Sequence, residues 1–428
     1  TKLPKSIRRT PALIRPLMSL RKGRLTYSEN LASLVPGFRG SPKYLGLSNG
    51  FGDPGWAYIL GMDPTQTWLD DIARTGAITD DVRLNEQFSR NYTQNLDARL
   101  TVEPFNEFNI EVSLTKNYTR NYLEFFKDDG SGRGFRHLAP TEVGSFNISY
   151  LGINTLFGKN VDSLYAEFER NRAIFSQRLP NQPGAGPHPN DPTYTEGFGR
   201  KNQQVIIPAF LATYTGIDPT VAGLDVFKSK PRPNWQLSYT GLHKLPLLKE
   251  FLSGATIRHG YSSKLVVNQF NSDLFYDSDS LYRKKALTND YYSRIEIPNV
   301  IMTEAFNPLI GIDFKTKSDL QFNMDYSIAR SLQLNMIDYQ LIEQNSKELT
   351  VGFGWRIKNV VMPFGKSTKT RTRTPKPAPG ATPDATDARG RNKAAAKKGN
   401  DLNLKFDLSF RDDLTNQRVL DQDQNVPT

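Results

Sequence analysis

The chain has 428 residues, 37% of them hydrophobic, and a formal charge of +11. It contains no cysteine, which excludes disulfides, thiolate metal sites and a cysteine nucleophile. No stretch of 18 apolar residues is available for a membrane-spanning helix, yet a mean hydropathy of -0.53 leaves spanning by strands open, because a barrel places its apolar residues at every second position.

Residues 12–30, through Leu17, Leu20, Leu25 and Tyr27, read as a strand. Residues 31–62 are rich in glycine and proline and read as an irregular packed connection, and 65–87 suit a short helix or an ordered loop. Leu96, Ala98, Leu100 and Val102 then alternate with Asn95, Asp97, Arg99 and Thr101, and Phe108, Ile110, Val112 and Leu114 with Asn109, Glu111, Ser113 and Thr115. Successive side chains of a strand face opposite sides of its sheet. Residues 91–119 therefore predict a hairpin that turns at 104–107. Residues 120–141 are dense in charge and glycine and read as a loop, and Phe146, Ile148 and Tyr150 mark a further strand.

Residues 156–233 break this pattern. Asp162 can cap a helix running from Ser163 to about Gln177, a Pro/Gly stretch follows at 180–192, and a second short helix is predicted at 203–214. A long ordered insertion between strands is expected, outside the sheet at one rim or within the lumen. Its apolar residues Ile206, Phe210, Leu211 and Tyr214 either bind a partner or pack within the insertion, and packing is the weightier reading.

Strand signals resume at 235–242, 254–270 and 291–297, and 300–314 alternates around Pro308. After a turn at 315–319, Leu320, Phe322, Met324, Tyr326 and Ile328 alternate with Gln321, Asn323, Asp325 and Ser327. Ala329-Arg330-Ser331 then predicts a three-residue turn, with one long strand as the rival. Leu349, Val351, Phe353, Trp355 and Ile357 alternate with Thr350, Gly352, Gly354, Arg356 and Lys358, and Leu402, Leu404, Phe406, Leu408 and Phe410 with Asn403, Lys405, Asp407 and Ser409. Ten to twelve strands are expected.

Residues 363–400 hold ten basic residues against Asp384 and Asp387, which is most of the net charge. This low-complexity segment is expected to be disordered, and no nucleic-acid partner is expected for the folded remainder. Thr1 and the closing Asn425-Val426-Pro427-Thr428 read as cut ends of a longer polypeptide. Four histidines, His137, His188, His243 and His259, form no HExxH or i, i+4 arrangement. No catalytic residue, metal or cofactor is expected, and the chain does not read as an enzyme.

Segments of about ten residues, greasy on one face and polar on the other, fit two architectures: an outer-membrane β-barrel and a soluble sandwich with one solvated face. On the barrel reading, Leu100, Val102, Phe108, Ile110, Leu320, Phe322, Phe353 and Phe406 face lipid. Asn95, Asp97, Arg99, Asn109, Glu111, Gln321, Asn323 and Asp407 then face the lumen.

An ordered set of short strings resembles the C-terminal part of the SprA/Sov family, the outer-membrane translocon of the type IX secretion system in Bacteroidota. The set begins with Pro36-Gly37-Phe38, Pro54-Gly55-Trp56 and Val102-Glu103-Pro104-Phe105. It continues with Ile207-Pro208-Ala209-Phe210-Leu211-Ala212, Tyr214-Thr215-Gly216, Pro233-Asn234-Trp235 and His259-Gly260-Tyr261. Pro308-Leu309-Ile310-Gly311-Ile312-Asp313 and Ser346-Lys347-Glu348-Leu349-Thr350-Val351-Gly352 complete it. The resemblance implies an all-β fold: an antiparallel transmembrane segment of a very large barrel, carrying a small helical insertion. It implies outer-membrane localisation in a Gram-negative bacterium and export of folded cargo to the cell surface. It also implies as partners the remainder of the barrel polypeptide, a shuttle β-barrel protein, a periplasmic plug and other secretion components, the cargo and outer-membrane lipids. On this reading, 1–155 supply strands and the Gly/Pro-rich connection, 156–233 the insertion, 234–362 strands, 363–400 the basic loop, and 401–428 a strand and the truncated end. A nutrient or lipopolysaccharide transport barrel and a soluble β-rich surface adhesin remain as alternatives.

Overall fold

The computed structural model describes residues 19–41, 43, 45–47, 53–62, 66–151, 157, 161–277, 280–360, 400–420 and 426–427. The expected basic loop lies outside them. The long strands are β1 (Leu20–Leu34), β2 (Phe88–Val102), β3 (Phe108–Asp128), β4 (Phe135–Ile148), β7 (Asn234–Tyr239), β8 (Leu252–Ser272), β10 (Asn299–Thr316), β11 (Leu320–Asn335), β12 (Gln340–Val360) and β13 (Asn400–Val419). The short ones are β5 (Pro187–His188), β6 (Asp191–Thr195), β9 (Ile295–Glu296) and β14 (Val426–Pro427). Helices α1 (Gln66–Arg74), α2 (Val161–Arg178) and α3 (Gln203–Thr215) interrupt them. Among the described residues one antiparallel 12-stranded sheet runs in the order β1-β2-β3-β4-β8-β10-β11-β12-β13-β14, with β7 beside β3 and β8 and β9 beside β8.

Several strands are longer than their sequence pattern predicts. Residues 120–141 are not a loop: β3 continues to Asp128, and only 129–134 turn before β4 starts at Phe135. Tyr122 and Phe126 keep the apolar phase and pack on Leu69 and Ile72 of α1, so burial there outweighs the charged neighbours. The turn predicted at 329–331 is also absent, because β11 pairs without a break with β12 from Leu320↔Trp355 to Asn335↔Gln340. The signal at 291–297 yields only the two residues of β9. Pro308 sits in a bulge of β10, where register shifts between Phe306 and Ile310, one of the few sheet positions a residue without an N–H tolerates.

The insertion interrupts a strand rather than joining two neighbours. Ile148, the last residue of β4, pairs with Lys116 of β3, and Asn234, the first of β7, pairs with Ser113. Both halves pair with β8, through Ile148↔Leu265 and Trp235↔Tyr261. β4 and β7 are thus two parts of one row, and the chain between them makes its excursion on one face. Side chains close the gap. The Thr115 N–H donates to Ser149 Oγ (3.2 Å) and the Ser149 N–H to the Thr115 carbonyl (2.9 Å). The Leu151 N–H donates to Ser263 Oγ (2.8 Å), and the Ser263 N–H to Asn234 Oδ1 (2.9 Å). Donors freed by the break therefore find partners, as buried backbone requires.

Two modules cover part of the sheet. Helix α3 starts at Asn202, whose side chain accepts from the Gln204 N–H, and stops at Gly216 in the left-handed region. Every residue from Val205 to Thr215 is buried, as expected of a helix that is apolar all round. With Phe168 and Phe175 of α2 it forms one core with Phe146, Ile148, Leu265, Val267, Met302, Leu332, Leu334 and Leu341 of the sheet. A second cluster joins α1 to Phe88, Tyr122 and Phe126.

At the second cluster, His137 Nδ1 lies 2.9 Å from Glu124 Oε2 and Nε2 lies 3.3 Å from Asp70 Oδ1 of α1. The imidazole pKa is raised, chiefly by the hydrogen bond to Glu124, with Asp70 adding and burial opposing. A raised pKa favours the charged form in the folded state. Its stabilisation is complete below the ordinary imidazole value of about 6.5 and is lost as pH rises through the higher folded value. Hydrogen exchange in 66–74, corrected for the intrinsic rate, should therefore quicken above neutrality. His137→Gln should remove that pH step; a step that persists in the variant would assign it to another group.

Candidate functional site

Directly opposed residues of an antiparallel pair share a face. The pairs Leu100↔Val112, Val112↔Trp235, Trp235↔Tyr261, Tyr261↔Phe306 and Phe306↔Ile328 carry one face from β2 to β11. Phe322↔Phe353 and Phe353↔Phe406 carry it on to β13. Leu100, Val102, Phe108, Ile110, Leu320, Phe322, Phe353 and Phe406 all lie on this face. Asn95, Asp97, Arg99, Asn109, Glu111, Gln321, Asn323 and Asp407 all lie on the other.

The apolar face is divided by height. Toward the end where β2, β4, β10 and β12 begin, here the module end, it is buried beneath α1, α2 and α3. Toward the opposite turn end, where 103–107 and 317–319 connect strands, it is open: Phe406 is 62% exposed and Phe410 63%. Leu320–Ile328 of β11, Leu349–Ile357 of β12 and Leu402–Phe410 of β13 make a belt of even height, joined by Trp235, Leu237 and Tyr239 of β7. Lys116, Glu304, Arg330, Lys347 and Asp412 border it on the module side of the same face.

Beneath the modules, that border becomes a buried ionic cluster. Arg330 Nη2 meets Glu343 Oε1 at 2.5 Å, and both side chains are buried. The Tyr261 hydroxyl donates to Glu304 Oε2 at 3.2 Å. Tyr214 of α3 packs nearby, its hydroxyl pKa raised by burial and then by the Glu343 charge. Arg418 of β13 binds Asp162 of α2 at 2.6 Å and lies over the Tyr165 ring. Buried charges persist only when paired, so Arg330–Glu343 and Tyr261–Glu304 are satisfied within the sheet, and Arg418, through Asp162 and Tyr165, ties the sheet to α2.

The polar face bends inward. Thr101 of β2, Glu111 of β3, Ser238 of β7, Arg258 of β8, Asn307 of β10, Asp325 of β11 and Glu348 of β12 line one trough of about 610 Å³. A flat sheet would hold β2 and β12 far apart, because neighbouring strands are about 4.8 Å apart. Small residues allow the bend. A Cβ on Gly311 would lie 2.4 Å from Asp325 Oδ1, and one on Gly352 2.1 Å from Asn323 Oδ1. Across Gly311, Arg258 reaches Asp325 at 3.1 and 3.2 Å, and it also meets Asp313 at 2.9 Å. Arg99 with Asp97, Lys405 with Asp407 and Arg411 with Asp413 pair along their own strands. The trough itself is lined by amides, hydroxyls, the Arg258–Asp325 pair and the carboxylates of Glu111 and Glu348.

Ile206, Phe210, Leu211 and Tyr214 are not a partner-binding surface. All four are buried in the core between α3 and the sheet, which decides for packing. His259 Nδ1 lies 2.7 Å from the Leu309 carbonyl, a structural contact. Among the described residues no group of three His, Asp or Glu side chains is placed to hold a metal. The Arg258–Asp325 and Arg330–Glu343 pairs did not emerge from the sequence as partners. Arg330 carried a signal, being a charge in the apolar phase of β11. Compared with known proteins, the chain matches no family model and no curated protein.

Proposed function

We propose that this chain is a wall segment of an outer-membrane β-barrel, and that the barrel is a protein-conducting translocon of the type IX kind that its sequence resembles. The observation that carries the membrane reading is the open apolar belt, backed across the same strands by a concave polar face. Its height, Leu320–Ile328 on β11, suits the roughly 9–11 residues with which a tilted strand crosses the hydrocarbon. The strands themselves are longer, up to 21 residues, and their excess length carries the modules beyond the lipid. Among the described residues no strand pairs with the outer edge of β1, and β14 covers β13 only at Asn416 and Gln417. Open edges do not survive in hydrocarbon, so further strands, from the same polypeptide or another chain, pair there. For the translocon reading, the support is the resemblance together with the lining of the trough. Short polar side chains, the Arg258–Asp325 pair and the carboxylates of Glu111 and Glu348 offer a hydrated surface past which folded cargo slides without being held.

The test compares two double variants in the full-length protein. Met324→Arg with Leu408→Arg puts two charges at mid-height of the belt, where each costs about 2–4 kcal/mol in a barrel facing lipid. Heat-modifiable, membrane-assembled protein should fall sharply. Asn95→Arg with Asn109→Arg adds the same charges to the polar face and should leave assembly intact while slowing delivery of cargo to the cell surface. Equal tolerance of the two sets would remove the membrane reading, and normal delivery with the second set would remove the conducting role of this face. Recovery of the intact protein from cells without detergent would favour a surface adhesin.

A further inference from the structure

The connection between β7 and β8, residues 240–251, departs from the other connections at the turn end for which the structure gives a path. Its neighbours are tight: 103–107 joins β2 to β3, and 317–319 joins β10 to β11. The 240–251 segment is longer and folded. A 3-10 turn at Leu242–Lys244 is followed by hydrogen bonds from the Leu248 and Lys249 N–H groups to the Leu245 carbonyl, and from the Leu252 N–H to the Leu248 carbonyl. It is fastened on both sides. The Thr240 N–H donates to the Glu107 carbonyl (3.1 Å), Lys244 pairs with Glu107, and the Lys317 N–H donates to the Phe251 carbonyl (3.0 Å).

A segment tied down this firmly has no need of water-exposed apolar side chains, yet Leu247 is 81% exposed, Phe251 70% and Leu245 44%. Isolated apolar residues on a surface are ordinary, but a group on one short segment marks a contact. The side of the sheet is fixed by two observations. Gly241 lies against the Tyr239 ring, close enough that a Cβ would fall 2.8 Å from its Cζ, and it bridges to Ala255, which is buried. Tyr239 and Ala255 are both on the apolar face. The segment therefore folds over the lower border of the belt, on the belt's side. Lys244 and Lys249 flank its leucines. Leucine and phenylalanine beside long basic side chains form the composition that settles at a lipid headgroup layer, where ammonium groups reach phosphates and the apolar parts enter the acyl boundary.

We propose that residues 240–251 are an interfacial anchor that inserts Leu245, Leu247 and Phe251 into the headgroup–acyl boundary of the nearer leaflet, with Lys249 at lipid phosphates and Lys244 held by Glu107. The anchor fixes the vertical position of this part of the wall. It rests on the membrane reading above, and its occupant is lipid because the segment adjoins the belt at Tyr239 and carries the apolar and basic side chains of a headgroup layer.

The chain has no cysteine, so a cysteine introduced here carries the nitroxide label alone once any cysteine elsewhere in the full-length protein is replaced by serine. The full-length protein is reconstituted in nanodiscs of phosphatidylethanolamine with a quarter phosphatidylglycerol. Collision rates with oxygen and with a neutral nickel chelate are then compared at Leu247→Cys, at Leu408→Cys in the belt and at Leu281→Cys in the module-end connection between β8 and β9. The expected result is a several-fold rise in the oxygen-to-nickel ratio at 247 over that at 281, with 408 higher still. A ratio at 247 equal to that at 281, while 408 reads as lipid, would overturn the anchor and leave the membrane reading standing. Low collision with both reagents at 247 would mean that protein covers the patch, and would also overturn it. A water-like ratio at 408 would overturn the membrane reading itself.

Discussion

Arg330→Met will destabilise the module-bearing half of the sheet by about 3–5 kcal/mol, the usual cost of leaving one partner of a buried pair uncompensated. The pair stands between β11 and β12 beneath α3, with Glu304 on the neighbouring β10. Removing the guanidinium leaves Glu343 in a place that excludes water. Hydrogen exchange should quicken along β11 and β12 on the module side of Ile328, with less change in the belt. Glu343→Met in the same chain should recover most of the loss, because the double variant removes both charges together. If the double variant is as unstable as the single, the effect lies in packing and the pair is not the cause.

Phe210→Ala will cost about 3–5 kcal/mol, the range for emptying a fully buried phenylalanine site, and Phe210→Asp more, because it also buries a carboxylate without a partner. The ring lies in the core that α3 shares with Leu332, Leu334 and Met302, and 5.1 Å from the Tyr214 ring. Limited proteolysis should then cut within 149–233 while the sheet persists. A variant that keeps native protease resistance would show that α3 is held by contacts other than its buried face. Loss of secretion in this variant would report an unseated module rather than a lost binding residue.

The periodicity of two was the legible part. It gave the two-faced strands and placed the belt residues on one side and the trough residues on the other, because alternation is a local property of the chain. What it missed was non-local. Arg330 looked like the end of a strand because its partner, Glu343, sits on the next one, and only the pairing shows why a charge is tolerated there. Residues 120–141 looked like a loop because the burial of Tyr122 and Phe126 depends on α1, distant in sequence. The apolar segment around Phe210 was legible as a helix. Whether it faced a partner or the sheet depended on Leu332 and Leu334, far along the chain. The trough needed seven strands to bend together, and no window of sequence contains that.

The row shared by β4 and β7 bears on the order of folding. Much of the sheet can zip up by adding each strand to the one just made, through short turns at β2–β3, β3–β4, β10–β11 and β11–β12 and longer connections at β1–β2, β8–β10 and β12–β13. At this row the rule fails, because Ile148 and Asn234 must dock beside one another on β3 after an excursion through α2 and α3. Closing so long a loop costs only logarithmically more than closing a short one, but such distant contacts slow the search for the native arrangement. Until β7 docks, Phe108–Ser113 of β3 lacks its neighbour, and β8 has only β4 to build on. The nucleus of the second half is therefore the collapsed α2–α3 pair on Phe146 and Ile148, which brings Asn234 back to the sheet. Slowing its collapse should lengthen the time for which β1 to β4 are formed and β8 onward is unpaired, without changing the finished sheet.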